Sequence, residues 1–158
     1  MHTPLAIGDT APAFTLAGDG DQDISLADFK GQNLVLYFYP KDDTSGCTTE
    51  AIDFTSNLSQ FSKLHTSIVG VSKDSVKKHD KFKAKHALKI RLASDEELSM
   101  IQSYGVWVEK NMYGRKYMGI ERSTFLIDKT GKIAHIWRKV RVKDHAKAVL
   151  DTLNQMSS

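Results

Sequence analysis

The chain contains a single cysteine, Cys47, and the residues around it are of the types that activate a thiol. Pro40, Thr44 and Gly46 precede it in the segment PKDDTSGC, which follows an apolar run and leads into a helical pattern. A thiolate in the first turn of a helix is stabilised by free backbone N–H groups and by the positive end of the helix dipole. We therefore interpret Cys47 as a nucleophile, with a small buried hydrophobic residue as the alternative.

Two of these neighbours have predicted roles in placing the sulfur and its target. Thr44 is expected to be the helix N-cap, with its hydroxyl reaching toward the backbone N–H of position 47. Gly46 has no side chain, so the backbone can pass close to whatever Cys47 attacks. Proline, threonine and glycine at these spacings favour a reactive cysteine over an inert one.

Apolar runs bounded by turn residues predict the strands that position this segment. The clearest run is residues 33–39 (NLVLYFY), which does not alternate and ends at Pro40, as expected for a strand buried on both faces. Thr66–Ser72 (TSIVGVS) is a second run of this kind. The other predicted strands are a short one near 90–93, a hairpin of 123–128 and 132–138 joined by KTG, and a preliminary hairpin of 14–16 and 23–25.

Helical periodicity fills the segments between these strands. After Cys47, the apolar residues Ala51, Phe54, Leu58 and Phe61 recur on one helical face. Further helices are predicted at 72–88, 95–104 and 142–156. The resulting order, β–α–β–α–β–α–β–β–α, predicts an α/β domain with a mixed sheet that is parallel where helices cross over and antiparallel at the hairpin.

Length and composition exclude several classes of protein. The 158 residues, 41% of them apolar and 26% charged, fit one globular domain covering 1–158. No run approaches the ~18 apolar residues of a membrane span. The first residues do not form a signal peptide, so we expect a cytoplasmic protein, with export by an unusual route left open. The basic cluster at 77–89 is interrupted only by Phe82, and the one at 138–147 begins next to Trp137. Nucleic-acid binders usually carry more stacking aromatic residues between their basic ones, so a solvated lysine face is the favoured interpretation.

Metal and nucleotide cofactors are not predicted. No HExxH, CxxC or GxxxxGK[ST] motif occurs in the chain. Asp19, Asp21 and Asp23 resemble the start of a calcium loop, but Ile24 and Lys30 stand where such a loop needs glycine and glutamate. A turn between two short strands is the better interpretation of this segment.

The stretch YFYPKDDTSGCTTEAIDF resembles the peroxiredoxins, whose signature P-x-x-x-[T/S]-x-x-C is met by Pro40, Thr44 and Cys47. It is similar to the bacterioferritin-comigratory protein, or peroxiredoxin Q, branch. The similarity includes GDTAPAFTL at 8–16 and ERSTFLIDKTGKI at 121–133, whose arginine is Arg122. It implies a thioredoxin-like, three-layer fold with a central mixed sheet and an N-terminal β-hairpin extension. It also implies a thiol peroxidase in which Pro40 shields the sulfur and Arg122 contacts it.

Ionisation of the thiol does not by itself explain an efficient peroxidase. An unperturbed thiol is roughly 3% ionised at pH 7, so complete ionisation could raise the rate only about 30-fold. The larger share must come from groups that hold the peroxide and stabilise charge on the departing oxygen. Thr44, the backbone N–H groups near Gly46 and Cys47, and Arg122 are the proposed groups. Glu50 is predicted to orient Arg122 through a bidentate pair, with a solvated helix carboxylate as the alternative.

This chain departs from its branch in the recycling step. Many members carry a second, resolving cysteine five residues after the reactive one or in the following helix, where this chain has Ile52 and Lys83. Cys47, once oxidised to a sulfenic acid, therefore needs an external thiol such as glutathione, a glutaredoxin or a thioredoxin. Hydroperoxides are the expected substrates, and a monomer or weak dimer the expected assembly.

Two other functions compete with this interpretation. A cysteine hydrolase or acyl transferase needs a histidine base beside Cys47, but His79 and His86 lie in a lysine-rich helix and His135 lies within a strand pattern. A peroxide sensor or a holdase chaperone on the same fold shares the first chemical step. Sustained peroxide consumption would separate an enzyme from a sensor.

Overall fold

A seven-stranded mixed sheet forms the centre of the structure, a computed structural model that describes residues 4–157. The strands are β1 (Thr15–Gly18), β2 (Ile24–Ser25), β3 (Asn33–Phe38), β4 (Thr66–Ser72), β5 (Arg91–Ser94), β6 (Trp107–Met112), β7 (Arg115–Ile120), β8 (Ser123–Ile127) and β9 (Ile133–Trp137). The helices are α1 (Ser45–Ser56), α2 (Leu58–Lys63), α3 (Val76–His86), α4 (Ser99–Ser103) and α5 (His145–Ser157). Within the described residues, no helix is long and apolar enough to cross a membrane.

The strand that leads to Cys47 lies inside this sheet. The order is β2-β1-β5-β4-β3-β8-β9, with β3, β4 and β5 parallel to one another and the remaining pairs antiparallel. Every residue of β3 is buried, which agrees with its uninterrupted apolar sequence. The predicted mixed sheet, the hairpin of β8 with β9 and the N-terminal pair of β1 with β2 are confirmed, with ends shifted by a few residues.

Both faces of the sheet are covered, as the predicted three-layer fold requires. Leu34, Leu36 and Phe38 of β3 pack on one face in a cluster that includes residues of α4. Val35 and Tyr37 point to the other face, where α1, α2, α3 and α5 supply the partners. Successive residues of a strand point to opposite faces, so β3 contributes to both cores.

The helix predicted to run from Cys47 through Phe61 is divided in two. Asn57 separates α1 from α2, and its side-chain amide donates to the carbonyl of Asp53 at 2.8 Å. Asparagine offers the backbone such local hydrogen bonds in place of continued helix. As a result Leu58 is only half-buried, whereas Phe61 is buried in the core.

The other predicted helices begin later than their patterns suggested. The helix expected from position 72 starts at Val76, because Ser72 belongs to β4 and Ser75 is the N-cap, accepting from the N–H of Lys78. The helix expected over 95–104 is reduced to α4. Asp95 there caps a turn instead, accepting from the N–H of Ile101 at 2.7 Å. The last helix begins at His145 rather than at position 142.

A second hairpin, β6 with β7, was not predicted from the sequence. Its strands pair from Trp107 with Ile120 to Met112 with Arg115. The turn is Tyr113-Gly114, and both residues have positive φ angles, of 53° and 80°. Such angles are typical of the tight turns that match strand twist, and glycine adopts them without strain. The hairpin ends two residues before Arg122 and so belongs to the surroundings of the candidate site.

Candidate active site

The register of two central strands brings distant parts of the chain together. Phe38 at the end of β3 pairs with Ser123 at the start of β8 in an antiparallel ladder. Pro40, just after β3, and Arg122, just before β8, therefore leave the sheet at the same edge. Cys47 lies at this edge in the first turn of α1.

Arg122 connects the cysteine to the carboxylate. Its Nη2 donates to Sγ of Cys47 at 3.3 Å, and its Nη1 donates to Oε1 of Glu50 at 2.7 Å. Cys47 and Glu50 are each only 2% exposed. The predicted bidentate pair between Arg122 and Glu50 is wrong, because one end of the guanidinium is directed at the sulfur and only the other remains for the carboxylate. Glu50 is buried and not a solvated helix carboxylate.

Thr44 caps α1 in a different way from the one predicted. Its backbone carbonyl accepts the first helical hydrogen bond, from the N–H of Thr48 at 2.8 Å. Its side chain is exposed and its hydroxyl donates to the carbonyl of Lys41 at 3.0 Å instead of reaching the N–H of Cys47. The side-chain cap expected from Thr44 is therefore absent. The hydroxyl oxygen retains lone pairs that can accept the O–H of a hydroperoxide.

Gly46 and Pro40 shape the space around the sulfur. A Cβ at position 46 would lie 3.3 Å from Nη2 of Arg122, so any other residue there would crowd the guanidinium. A shallow depression beside this glycine is lined by Ser45, Thr49 and Val142 among others. Pro40 is half-buried directly after β3, and its predicted role as a shield for the sulfur remains a prediction.

Burial controls the charge of the Glu50–Arg122 pair. Removal of Glu50 from water raises the pKa of its carboxyl to about 7, although the charge of Arg122 and the hydrogen bond from it act in the opposite direction. Burial also works against the charge of Arg122, but Glu50 and Cys47 outweigh it and raise the pKa of the guanidinium. Arg122 therefore stays a cation while its carboxylate partner titrates near neutral pH.

We expect replacement of Glu50 by glutamine to flatten the pH dependence of stability. The pKa of Glu50 rises from 4.5 to about 7 on folding, so the folded state holds this proton more tightly than the unfolded state. The resulting contribution to the free energy of unfolding is complete below pH 4.5, and up to about 3 kcal/mol of it is lost as pH rises through 7. Glu50→Gln lacks this titration. Urea unfolding at pH 5 and pH 8 should show a smaller fall in the free energy of unfolding for the variant than for the wild type. Equal falls in both proteins would contradict the raised pKa.

Sequence reasoning missed several residues that surround the site. Tyr37 is fully buried and stacks on Phe54, and its hydroxyl has no hydrogen-bond partner among the described residues. Burial, followed by Glu50 and Cys47, raises its pKa well above the ordinary value. Its ring also explains Gly70, where a Cβ would lie 2.7 Å from Tyr37. These contacts join residues of different strands and helices, so no local sequence pattern predicts them.

The charge of Arg122 acts on two further side chains from a distance. His145 hydrogen-bonds Thr124 at 2.8 Å, and burial followed by the charge of Arg122 lowers its pKa to about 4. Lys110 of β6 is partly buried, and burial and Arg122 lower its pKa while Cys47 and Glu121 oppose the shift. The missed hairpin thus places a cation within electrostatic range of Cys47.

Within the part of the chain that the structure describes, the histidines do not form a hydrolase site. His145 is bonded to Thr124, and His79 is bonded to Asp42 and Ala93. Among residues 4–157, no histidine hydrogen-bonds to Cys47. A cysteine hydrolase lacks its base in this arrangement.

Comparison with protein families and curated proteins gives consistent matches. The AhpC/TSA family model matches residues 7–136. Peroxiredoxin Bcp of Bacillus subtilis (strain 168) is 51% identical over 153 residues, which cover 97% of this chain and 98% of the relative.

Solved structures show the same similarity in three dimensions. A Cys-to-Ser mutant of PrxQ from Xylella fastidiosa is 41% identical, with a TM-score of 0.94 over 99% of this chain and 100% of that one. A bacterioferritin comigratory protein from Xanthomonas campestris, described for its alkyl peroxide reduction activity, is 45% identical, with a TM-score of 0.88 over 92% of each chain. Peroxiredoxin Q of that organism has also been solved with either of two different cysteines replaced by serine.

Proposed function

This chain belongs to the AhpC/TSA family, has the thioredoxin-like fold of the peroxiredoxins and is a thiol peroxidase, and from this premise we propose that Cys47 is the sulfur that attacks the peroxide. The observation that carries the proposal is the 3.3 Å hydrogen bond from Nη2 of Arg122 to Sγ of Cys47. A cation at this distance can donate a charge-assisted hydrogen bond to the sulfur and hold it in place for attack. The same cation can stabilise negative charge on the oxygen that leaves.

The proposed reaction begins with attack of the Cys47 thiolate on one oxygen of the hydroperoxide. The S–O bond forms as the O–O bond breaks, which leaves a sulfenic acid on the sulfur and an alkoxide or hydroxide that takes a proton to become alcohol or water. Arg122 and the first backbone N–H groups of α1 hold the peroxide and stabilise this departing oxygen. Thr44 accepts a hydrogen bond from the peroxide O–H, since its own hydrogen is donated to Lys41. Pro40 and Gly46 set the shape of the approach.

Recycling is proposed to use an external thiol. The sequence has one cysteine, whereas the Xanthomonas peroxiredoxin Q has at least two. Ile52 is on the exposed side of α1, and Lys83 pairs with Asp19 at 2.7 Å. An incoming thiol condenses with the sulfenic acid, releasing water and forming a mixed disulfide, and a second thiol then releases Cys47. Glutathione, a glutaredoxin or a thioredoxin fits this scheme.

The setting follows from the same requirement. A cycle that consumes two thiols per peroxide needs a compartment that keeps thiols reduced, which favours the cytoplasm. Because Cys47 is buried, two sulfurs from different chains do not meet in the folded state, so no disulfide-linked dimer is expected. The proposed assembly is a monomer or a weak, non-covalent dimer.

Steady-state turnover is the direct test of this proposal. The protein is expected to consume hydrogen peroxide and small organic hydroperoxides continuously when glutathione, glutaredoxin or thioredoxin, each with its recycling system, is supplied in excess. Comparing these reductants identifies the physiological class. One equivalent of peroxide consumed with no further turnover under all of them would favour the peroxide sensor over the enzyme.

We expect the oxidised protein to remain a monomer with a modified Cys47. After one equivalent of peroxide, a dimedone adduct should appear on Cys47, and the band on a non-reducing denaturing gel should stay monomeric, because no second thiol is present in the chain. Excess peroxide should add two oxygens by mass spectrometry as sulfinic acid forms, and glutathione should divert the product to a mixed disulfide. Rapid and complete formation of a Cys47–Cys47 dimer would contradict this account.

A further inference from the structure

The loop between β3 and α1 is held by a buried polar network away from the sulfur. Asp42 lies in this loop, and its carboxylate accepts from the hydroxyl of Tyr39 at 2.5 Å through Oδ1 and contacts Nδ1 of His79 at 2.6 Å through Oδ2. His79 belongs to α3 and is fully buried. The reactive loop is therefore tied to a helix that supplies no group to the chemistry described above.

The histidine ring has an acceptor at each nitrogen. Nε2 lies 2.9 Å from the carbonyl oxygen of Ala93, which can only accept, and Nδ1 faces the carboxylate of Asp42. Nε2 therefore carries a proton, and a second proton lies between Nδ1 and Asp42. The bonds from Tyr39 and from His79 hold one carboxylate oxygen each and so fix the direction of the Asp42 side chain.

The backbone of the loop is fixed by a second aspartate. The N–H of Asp42 donates to Oδ2 of Asp74 at 2.8 Å, and the hydroxyl of Ser72 donates to the same oxygen at 2.7 Å. Ser94 of β5 in turn donates to the backbone carbonyl of Asp74 at 2.5 Å. The side chain of Asp42 is thus anchored to His79 of α3, and its main chain is anchored through Asp74 to the neighbouring strands β4 and β5.

On the solvent side of the loop, Asp43 forms further hydrogen bonds to α3. Asp43 has a positive φ of 62°, and its carboxylate accepts from Lys85 at 2.7 Å and from His86 at 2.8 Å. Such a backbone angle is costly for a residue other than glycine and persists where neighbouring contacts hold it.

We propose that Asp42 and His79 are positioning residues for the peroxidase reaction: they fix the loop from Pro40 to Thr44 and, through it, the first turn of α1 that presents the peroxide-binding N–H groups and Cys47. This inference rests on the proposed function of Cys47. Displacing catalytic groups by about 1 Å can cost about 100-fold in rate, so a loop this close to the reacting atoms must be held rigidly.

Substitutions at Asp42 distinguish an effect on the position of the reactive loop from a loss of stability of the whole fold. Asp42→Ala removes both side-chain bonds and is expected to lower the second-order rate constant for peroxide by about 10- to 100-fold. Asp42→Asn can keep both, its oxygen accepting from Tyr39 and its amide donating to a neutral Nδ1 of His79, and should stay within about 3-fold of the wild type. Asp95→Ala is the matched control, since Asp95 is also a buried aspartate and caps the turn before α4. It should lower the unfolding temperature and leave the peroxide rate unchanged.

Alkylation of Cys47 by iodoacetamide supplies the second readout. This reaction needs the thiolate but not the peroxide-binding groups, so Asp42→Ala should slow it by less than about 3-fold or accelerate it. His79→Gln, which removes one of the two ring contacts, serves if Asp42→Ala does not fold, and should show the same selective loss. A folded variant with an unchanged peroxide rate, or parallel losses in both reactions, would overturn the positioning role. Wild-type turnover in the same assay tests Cys47 chemistry separately.

Discussion

Replacing Cys47 with serine is expected to reduce peroxide consumption to that of buffer and reductant alone, a loss of at least about 10⁴-fold. A serine hydroxyl beside Arg122 stays protonated at neutral pH and is a poor nucleophile without an adjacent base. No histidine bonds to position 47 within residues 4–157, so nothing would activate it. An oxygen also cannot form the sulfenic acid on which the cycle depends.

Coupled consumption of reductant is the measurement, with Cys47→Ala as the control for the fold. Cys47 belongs to the buried cluster that includes Tyr37 and Phe54, so loss of one sulfur atom should be tolerated and the circular dichroism spectrum should match the wild type. Continued thiol-dependent peroxide consumption by Cys47→Ser would show that another group carries the reaction.

Arg122→Ala is expected to lower the second-order rate constant for peroxide by about 100- to 1000-fold, the loss typical of removing one preorganised donor to a developing charge. Ionisation cannot account for the whole loss, since the thiolate fraction can change the rate by at most about 30-fold. The variant also leaves Glu50 buried without the only partner that it has among the described residues.

Thiolate absorbance at 240 nm and the peroxide rate should be measured on the same samples. Dividing the rate by the thiolate fraction isolates the contribution of Arg122 to binding and to the transition state. Arg122→Lys should recover only part of the loss. It restores the positive charge, but a single ammonium cannot reach both Sγ and Glu50 as the planar guanidinium does. Arg115→Ala, an exposed arginine of β7, should have no effect. A loss that only tracked ionisation would contradict the transition-state role.

Most of the sheet follows from local sequence. Residues 33–39 and Thr66–Ser72 are mainly apolar runs without polar alternation, and the structure places both as central parallel strands. Strands of this kind bury both faces, so their composition alone reveals them. The hairpin of β8 and β9 was also evident from the sequence, because Gly131 lies in the short turn between its strands. The structure gives this glycine a positive φ of 85°.

The unpredicted β6–β7 hairpin shows where such patterns fail. Its strands are mostly exposed, with Lys110, Asn111, Lys116 and Tyr117 facing each other in two cross-strand pairs. A strand pair that buries little apolar surface has no strong alternation in its sequence. Its position beside Arg122 depends on the sheet to which it is attached.

The sequence by itself determined the reactive unit of this protein: one cysteine in a helix start after a buried strand, with Pro40, Thr44 and Gly46 before it and no second cysteine to resolve it. These features are local, because a strand end, a turn and a helix start depend mainly on neighbouring residues. The absence of a disulfide partner is a matter of counting.

Only the tertiary structure decided how the site is assembled. The 3.3 Å contact between Arg122 and Cys47 joins residues 75 positions apart and depends on the pairing of Phe38 with Ser123. The tertiary structure also decided that the Arg122 guanidinium bonds to both Cys47 and Glu50. It likewise decided that the Thr44 hydroxyl donates to Lys41 and that His79 contacts Asp42. Each of these contacts is selected by competition among many donors and acceptors for one buried partner. Which partner is selected depends on the distances between these side chains, and strand register and helix packing set those distances.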